Sequence, residues 1–302
     1  MTAISILITG ANGQVGKALQ EASARHPDKI FHFYSRESLD ISDEKALELV
    51  MRQCSPDILI NAAAYTAVDK AESEREKAYL VNEKAVEILA DKTSKNGIPL
   101  LHLSTDYVYH NGQTRPLLES DPTEPAGVYA SSKFAGEKAA RKTNGDTYII
   151  RTSWVYGVYG HNFVKTMLRL GMAGRPLKVV DDQVGSPTNA HDLAEALIEI
   201  APKILNKELP PGVYNYCNSG KTSWYELAKT VFEVTGIETE LDAIPTSAYP
   251  TPASRPPYSV LNTEKISRHL TNLIPEWDTS LRKYLSRIAR QVQEEMDQKE
   301  DS

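Results

Sequence analysis

Ile4-Ser5-Ile6-Leu7-Ile8-Thr9-Gly10-Ala11-Asn12-Gly13-Gln14-Val15-Gly16 is the stretch from which the fold can be read. Ile4–Ile8 is an apolar run of strand length, and the residues after Gly16 carry a helical pattern to about Arg25. Gly10, Gly13 and Gly16 are spaced GxxGxxG between the two. Glycine lets a backbone turn sharply and approach a pyrophosphate closely. The N-terminus of the following helix then offers free N–H groups and a partial positive charge to the phosphates. Three glycines in a loop are common by chance, and the position directly after a first strand is what gives these meaning.

Working outward, Ile30–Tyr34, Asp57–Asn61, Leu100–Ser104 and Thr147–Arg151 read as further strands, nearly all apolar. Helices alternate with them. One is expected near Asp43–Gln53 with Ser42 as N-cap, and one over Glu74–Asn96, where Ala78, Val81, Ala85, Ile88 and Leu89 recur at helical spacing before Gly97. A third is expected over Tyr129–Thr143. Such alternation predicts a doubly wound parallel sheet of the α/β, Rossmann-like class, with ligands beyond the carboxyl ends of its strands.

The second half is less regular. Helices are expected over Asn162–Ala173 and Asn189–Ile204, and strands over Leu177–Val180 and Val213–Tyr216. Ser223-Trp224-Tyr225-Glu226 has the form of a capping box and predicts a helix to about Thr235. Residues 245–258 read as an irregular Pro/Ser/Thr-rich loop, and the polar end, Gln291–Ser302, as frayed. The expected division is a dinucleotide-binding lobe over 1–152 with part of 188–235, and a smaller α/β substrate lobe over 153–187 and 236–302.

Of the 302 residues, 41% are hydrophobic and 25% charged, enough apolar material for a sizeable core. A net charge of -6 with no Lys/Arg run argues against nucleic acid as a partner. Cys54 and Cys217, far apart and without a CxxC, predict reduced thiols. No apolar stretch approaches the roughly 20 residues of a membrane span and no signal peptide is read, so no membrane partner and a cytoplasmic location are expected. GxSxG, HExxH and a P-loop lysine are missing, and the seven histidines show no ligand spacing, so no metal is expected.

Cofactor choice is read after the second strand, at Tyr34-Ser35-Arg36-Glu37. Ser35 and Arg36 suit the 2′-phosphate of NADPH, whereas a solvated Arg36 beside Glu37 leaves NADH open. After the third strand, Ala62, Ala63 and Ala64 leave room for a flat cofactor, or for close loop packing. Tyr129-Ala130-Ser131-Ser132-Lys133 puts a tyrosine and a lysine on one helical face. A nearby ammonium favours the phenolate, which makes Tyr129 a usable acid or base near neutral pH. The fourth strand ends Ser104-Thr105-Asp106, and the Thr105 hydroxyl is placed to polarise a carbonyl. His102, inside that strand, reads as a hydrogen-bonded core residue.

These features together resemble the dTDP-4-dehydrorhamnose reductase family of extended short-chain dehydrogenases, in which the GxxGxxG form of the glycine loop is typical. The resemblance runs from about residue 4 to 285. It rests on GQVG at 13–16, NAAAYTAVDKAE at 61–72, LSTDYVY at 103–109, YASSKFAGEKA at 129–139, RTSWVYG at 151–157, NFVKTMLRL at 162–170, DDQVGSPT at 181–188 and PTSAYPTPASRP at 245–256. It implies that Tyr129 donates the proton, that Lys133 partners it and holds the nicotinamide ribose, and that Thr105 completes the triad. It further implies that Gly13, Gln14, Val15, Asp40, Ile41, Ala63 and Ala64 line the cofactor, that Trp154 packs against the sugar, and that Thr105 and Asp106 lie near its reacting end. Arg255, in the proline-rich loop, is the candidate for the substrate diphosphate. The implied reaction is reduction of the 4-keto group of dTDP-4-dehydro-L-rhamnose, a step of cell-surface polysaccharide synthesis. Some members of the family pair through a divalent metal held just after the glycine loop. Here that stretch is Lys17-Ala18, with no carboxylate before Glu21. A homodimer is the assembly left open.

Three other readings share the fold. A nucleotide-sugar dehydratase often carries Asp-Glu after the threonine, and Thr105-Asp106-Tyr107 lacks the glutamate. An epimerase uses the same triad and keeps its cofactor. A non-catalytic regulatory subunit of the methionine adenosyltransferase type resembles the same family, and fold alone does not separate it from an enzyme.

Overall fold

The side-chain alternation of each central strand decides how the sheet is buried. In the computed structural model, which describes residues 3–300, β1 (Ile4–Thr9) sends Ile6 and Ile8 to one face and Leu7 to the other. It feeds α1 (Gln14–Ser23), then β2 (Lys29–Tyr34), α2 (Glu44–Cys54) and β3 (Ile58–Asn61). The short helices α3 (Val68–Ala71) and α4 (Arg75–Tyr79) lead through a π turn at Leu80–Lys84 into α5 (Ala85–Lys95). β4 (Leu100–Thr105), α6 (Gly127–Thr143) and β5 (Thr147–Thr152) follow.

The second half contributes β6 (Val155–Tyr156), α7 (Phe163–Met172), β7 (Leu177–Val180), β8 (Val184–Gly185) and β9 (Thr188–Asn189). Next come α8 (Ala190–Leu205), β10 (Gly212–Asn215), β11 (Thr222–Ser223), α9 (Trp224–Thr235) and β12 (Leu241–Ile244). β13 (Tyr258–Ser259), α10 (Glu264–Ser267) and α11 (Trp277–Glu300) close the described chain.

Six strands form one sheet in the order β10-β5-β4-β3-β1-β2, and every pairing in it is parallel. Ile58, Ile60, Leu101, Leu103, Tyr148 and Ile150 share the face of Ile6 and Ile8, which α1 and α8 cover. Leu59, Leu100 and Ile149 share the face of Leu7, under α2, α5 and α6. The order reverses between β1 and β3, whose carboxyl ends therefore open a crevice no crossover fills. A separate apolar cluster joins α7, α9 and α11 through residues such as Val164, Leu168, Val231, Leu281 and Leu285. The segment Ala190–Asn215 thus returns to the large sheet, and so does Ile266 of α10. α9, in contrast, packs with the smaller lobe.

Three sequence expectations need correcting, and one helix was missed. The N-cap of α2 is Asp43, whose carboxylate accepts from the N–H groups of Lys45 and Ala46, while the Ser42 hydroxyl turns back to Asp40. The single helix expected over Glu74–Asn96 is broken by the π turn. There Asn82 is fully buried and bonds both backbone groups of Tyr65 and the Ser132 hydroxyl. Gly136 of α6 lies so close that a Cβ would sit 1.9 Å from Asn82 O, so only glycine fits this crossing. The third correction is the polar end: Gln291–Glu300 continues α11 rather than fraying, and Asp301 and Ser302 lie outside the described residues. Finally, α11 itself escaped the sequence reading, although Leu281, Leu285, Ile288 and Val292 recur at helical spacing and are all buried. No described helix is long and apolar enough to cross a membrane.

Candidate active site

The crevice between β1 and β3 is the first part of the site. Gly10 has φ +76°, and a Cβ there would lie 2.5 Å from Ala63 N and 2.6 Å from Ala62 C. The loop after β3 can therefore close on the glycine turn only because Gly10 lacks a side chain. Gly13 is the N-cap of α1 with no side-chain cap and no acidic residue in the first turn, so the helix offers its first N–H groups to an anion. Gly10, Gly13, Arg36, Asp40, Ile41 and Ala62–Ala64 line a cleft of about 250 Å³. This cradle fits a dinucleotide's pyrophosphate at its glycine end and an adenosine between Arg36, Asp40 and Ile41.

The N–H groups offered at the helix start are those of Gln14, Val15 and Gly16, but the side chains of Gln14, Val15 and Ser35 do not line the cleft. Gln14 turns its amide oxygen to Asn162 Nδ2 at 3.0 Å, which ties the glycine loop to the smaller lobe. Val15 packs into the core and Gly16 is buried under the turn. Ser35 donates to Glu37 at 2.6 Å, and Glu37 also accepts from Asn12 and lines the cleft itself. A carboxylate thus stands beside Arg36 where the sequence had pointed to a phosphate pair.

The second part is the end of β4 and the first turns of α6. Thr105 caps the turn that follows: its hydroxyl accepts from Tyr107 N–H at 3.2 Å and donates to Asp106 Oδ1 at 3.0 Å. Asp106 is buried with Oδ2 unpaired, and burial pushes its carboxyl up to about 7. Tyr129 is half-buried and packs edge-on to Tyr107, with ring centroids 5.6 Å apart. Lys133 is buried and donates to Leu103 O at 2.7 Å, with His102 Nε2 at 3.4 Å.

The electrostatics run opposite to the simple expectation of a phenolate. Desolvation pushes the Tyr129 hydroxyl up to about 12, and the Thr105 hydroxyl offsets only part of that. Burial brings the Lys133 ammonium down to about 8, against the pull of Glu137. The physical reason is that loss of water penalises both the phenolate and the ammonium. A phenol that holds its proton is the form a proton donor needs.

Beneath α6, Glu137 is buried and takes a bidentate pair with Arg151 of β5 and a 2.5 Å bond from Ser104. Arg151 also lies over the Tyr109 ring at 4.6 Å. Glu137 is one helical turn beyond Lys133, so this pair anchors the helix that carries the tyrosine and the lysine. Composition and local spacing gave no signal for it, because Glu137, Arg151 and Ser104 come from three separate elements. His102 is, as read from the sequence, hydrogen-bonded in the core.

The third part faces the smaller lobe. Trp154 follows β5 with φ +47°, a left-handed conformation that costs a non-glycine residue energy. It is held by stacking on Trp224 with ring centroids 3.5 Å apart and an interplanar angle of 8°. Trp224, Phe163, Met167, Tyr249 and Arg255 line a groove of about 450 Å³. Arg255 is not the lone cation of the sequence reading. It makes a bidentate pair with Asp69 of α3, at 2.9 and 2.7 Å. Any anion reaching it shares or displaces that carboxylate.

A family model described as the RmlD substrate binding domain matches residues 4–290. The chain is 42% identical over 293 residues to dTDP-4-dehydrorhamnose reductase of Salmonella typhimurium, a match that spans 94% of this chain and 98% of that protein. Its fold is similar to the crystal structure of dTDP-4-dehydrorhamnose reductase from Bacillus anthracis in complex with NADP. There the TM-score is 0.88 at 34% identity, over 94% of this chain and 99% of the other. The dTDP-4-dehydrorhamnose reductase from Clostridium acetobutylicum gives a TM-score of 0.86 at 36% identity, over 93% and 98%.

Proposed function

Because the chain belongs to the dTDP-4-dehydrorhamnose reductase family, with its RmlD substrate binding domain, we propose that it reduces the 4-keto group of dTDP-4-dehydro-L-rhamnose. The product is dTDP-L-rhamnose, for polysaccharide synthesis. It is an NAD(P)H-dependent oxidoreductase, with NADPH as the assigned cofactor and NADH as the competitor that Glu37 favours. We assign the large lobe to the cofactor, with 190–215 returning to it, and the smaller lobe around α7, α9 and α11 to the nucleotide-sugar. The protein works in the cytoplasm, with a homodimer as the assembly left open and no nucleic acid or membrane partner.

The observation that carries this reading is the joining of a glycine cradle at the β1/β3 crevice with Tyr129 and Lys133 on α6, which follows the neighbouring β4. A reduced nicotinamide dinucleotide held in the cradle would supply the hydride. Gly10, Gly13 and Ala62–Ala64 would hold the dinucleotide, with Arg36, Asp40 and Ile41 around its adenosine end. Tyr129 gives its proton to the developing alkoxide, which a donor in a dry site stabilises far more than water does. Lys133 holds positive charge beside it, and Thr105 and Asp106 orient the ketone. Trp154 packs on the sugar face.

The test is nicotinamide oxidation by the full chain with dTDP-4-dehydro-L-rhamnose. Stoichiometric consumption of NADPH is expected. Binding of cofactor without consumption of either nucleotide would instead favour the regulatory-subunit reading. Arg255→Ala is expected to raise KM for the nucleotide-sugar about tenfold or more, from loss of a charge-assisted contact, with kcat little changed. A KM equal to the native value would remove Arg255 from diphosphate binding and leave it as the partner of Asp69.

A further inference from the structure

The buried contacts behind Lys133 fix a histidine tautomer by elimination. The backbone N–H of Ala63 can only donate, and it donates to Asn61 Oδ1 at 3.0 Å. The Thr9 hydroxyl donates to the same oxygen at 2.7 Å. Asn61 is therefore turned with Nδ2 toward His102, 2.9 Å from Nδ1. Nδ2 is a donor, so Nδ1 accepts and carries no proton. A neutral imidazole then carries its proton on Nε2. That N–H faces Lys133 Nζ at 3.4 Å, longer than the 2.7 Å from the same ammonium to Leu103 O. Two donors facing each other account for the longer contact.

The imidazolium offers no escape. His102 is fully buried, and burial together with the Lys133 charge holds it well below the usual imidazole range. The other ionisable groups about Lys133 are Glu137 and Tyr129 on α6, Arg151 paired to Glu137 from β5, and Asp106 beyond β4. From β1, β3 and the π turn come only the uncharged Thr9, Asn61 and Asn82.

We infer that His102, held by Asn61 as the Nε2–H tautomer, is a positioning residue that hydrogen-bonds the free amine of Lys133 and so lets this lysine return a proton to Tyr129 after each reduction. The inference rests on the reductase reading above. After Tyr129 has protonated the substrate oxygen, its phenolate lacks a proton. An N–H bond at Lys133 Nζ breaks, the O–H bond at Tyr129 Oη forms, and the new lone pair on Nζ accepts from His102 Nε2–H. A solvent proton then restores the ammonium. No electron moves in this step. An acceptor in place of the Nε2–H would favour the ammonium and hold the proton on the lysine.

The experiment is nitrogen NMR of the full chain labelled at histidine and lysine, with His102 assigned by its loss in His102→Gln. Expected is an unprotonated Nδ1 and a protonated Nε2 that persist from about pH 6 to 9. A protonated Nδ1, or an imidazolium in that range, would overturn the inference. In His102→Gln the amide carbonyl can face the ammonium, so the Lys133 Nζ titration should move up by about one pH unit. The alkaline limb of the kcat profile should move with it while KM for NADPH stays put. An unshifted Nζ titration would sink the proposal. The tautomer is read on the native protein, so it decides even if His102→Gln fails to fold. It also decides if no ketone is reduced, an outcome that would remove the reductase reading alone.

Discussion

Tyr129→Phe is expected to lower turnover by about 10²- to 10⁴-fold while leaving cofactor binding intact. The substitution removes one oxygen from a ring that otherwise packs against Tyr107 and Val128. Packing is preserved, so the loss reports proton donation rather than folding. The raised Tyr129 pKa also sets the pH sense. A phenol that titrates near 12 stays protonated across the neutral range, so its ionisation does not limit the rate there. The alkaline loss of activity should instead follow Lys133, which burial brings to about 8. The native ammonium is present below that value and is lost as pH rises through it. Steady-state rates of native and variant with the same nucleotide-sugar, beside cofactor titration by fluorescence, check both points. Near-native turnover in Tyr129→Phe would take this residue out of the mechanism.

Glu137→Leu is expected to destabilise the fold by about 3–5 kcal/mol, because it strands the buried guanidinium of Arg151 without a partner. Arg151 already has one buried nitrogen, Nη1, with no hydrogen bond. Losing the bidentate carboxylate would leave its charge over the Tyr109 ring alone. The double variant Glu137→Leu/Arg151→Met should recover much of the loss, since two apolar groups of similar volume need no partner. Urea unfolding of the three proteins reads this directly. If Glu137→Leu unfolds at the native midpoint, the pair does not anchor α6. A double variant no more stable than the single would point to packing rather than charge.

The alternation of strand and helix, the glycine turn and the tyrosine–lysine spacing were all legible in the chain, since each is written within a short window. A strand announces itself in five or six residues, and positions i and i+4 share a helical face whatever surrounds them. The same logic explains two misses in the helices α2 and α5. Ser42 and Asp43 are both good caps, and only the turn at Asp40 decides that Asp43 does the capping. The π turn at Leu80–Lys84 has no local signature, because Asn82 is drawn out of register by Tyr65 and Ser132.

The chemistry of the site is a different matter. Residues 129 and 133 give their own separation, but the burial that holds the Tyr129 proton and loosens that of Lys133 comes from β4, β5 and the loops above them. Arg255 looks free in sequence and is neutralised by Asp69, 186 positions away. The His102 proton is assigned by Asn61, which Thr9 orients from β1 together with the nearby Ala63 N–H. By itself the sequence determined the parallel α/β layering, the family and the positions of the chemical groups, because periodicity and spacing are properties of neighbours along the chain. Only the tertiary structure decided which of those groups hold a charge, a proton or a partner, because desolvation and hydrogen-bond direction depend on what distant segments bring against them.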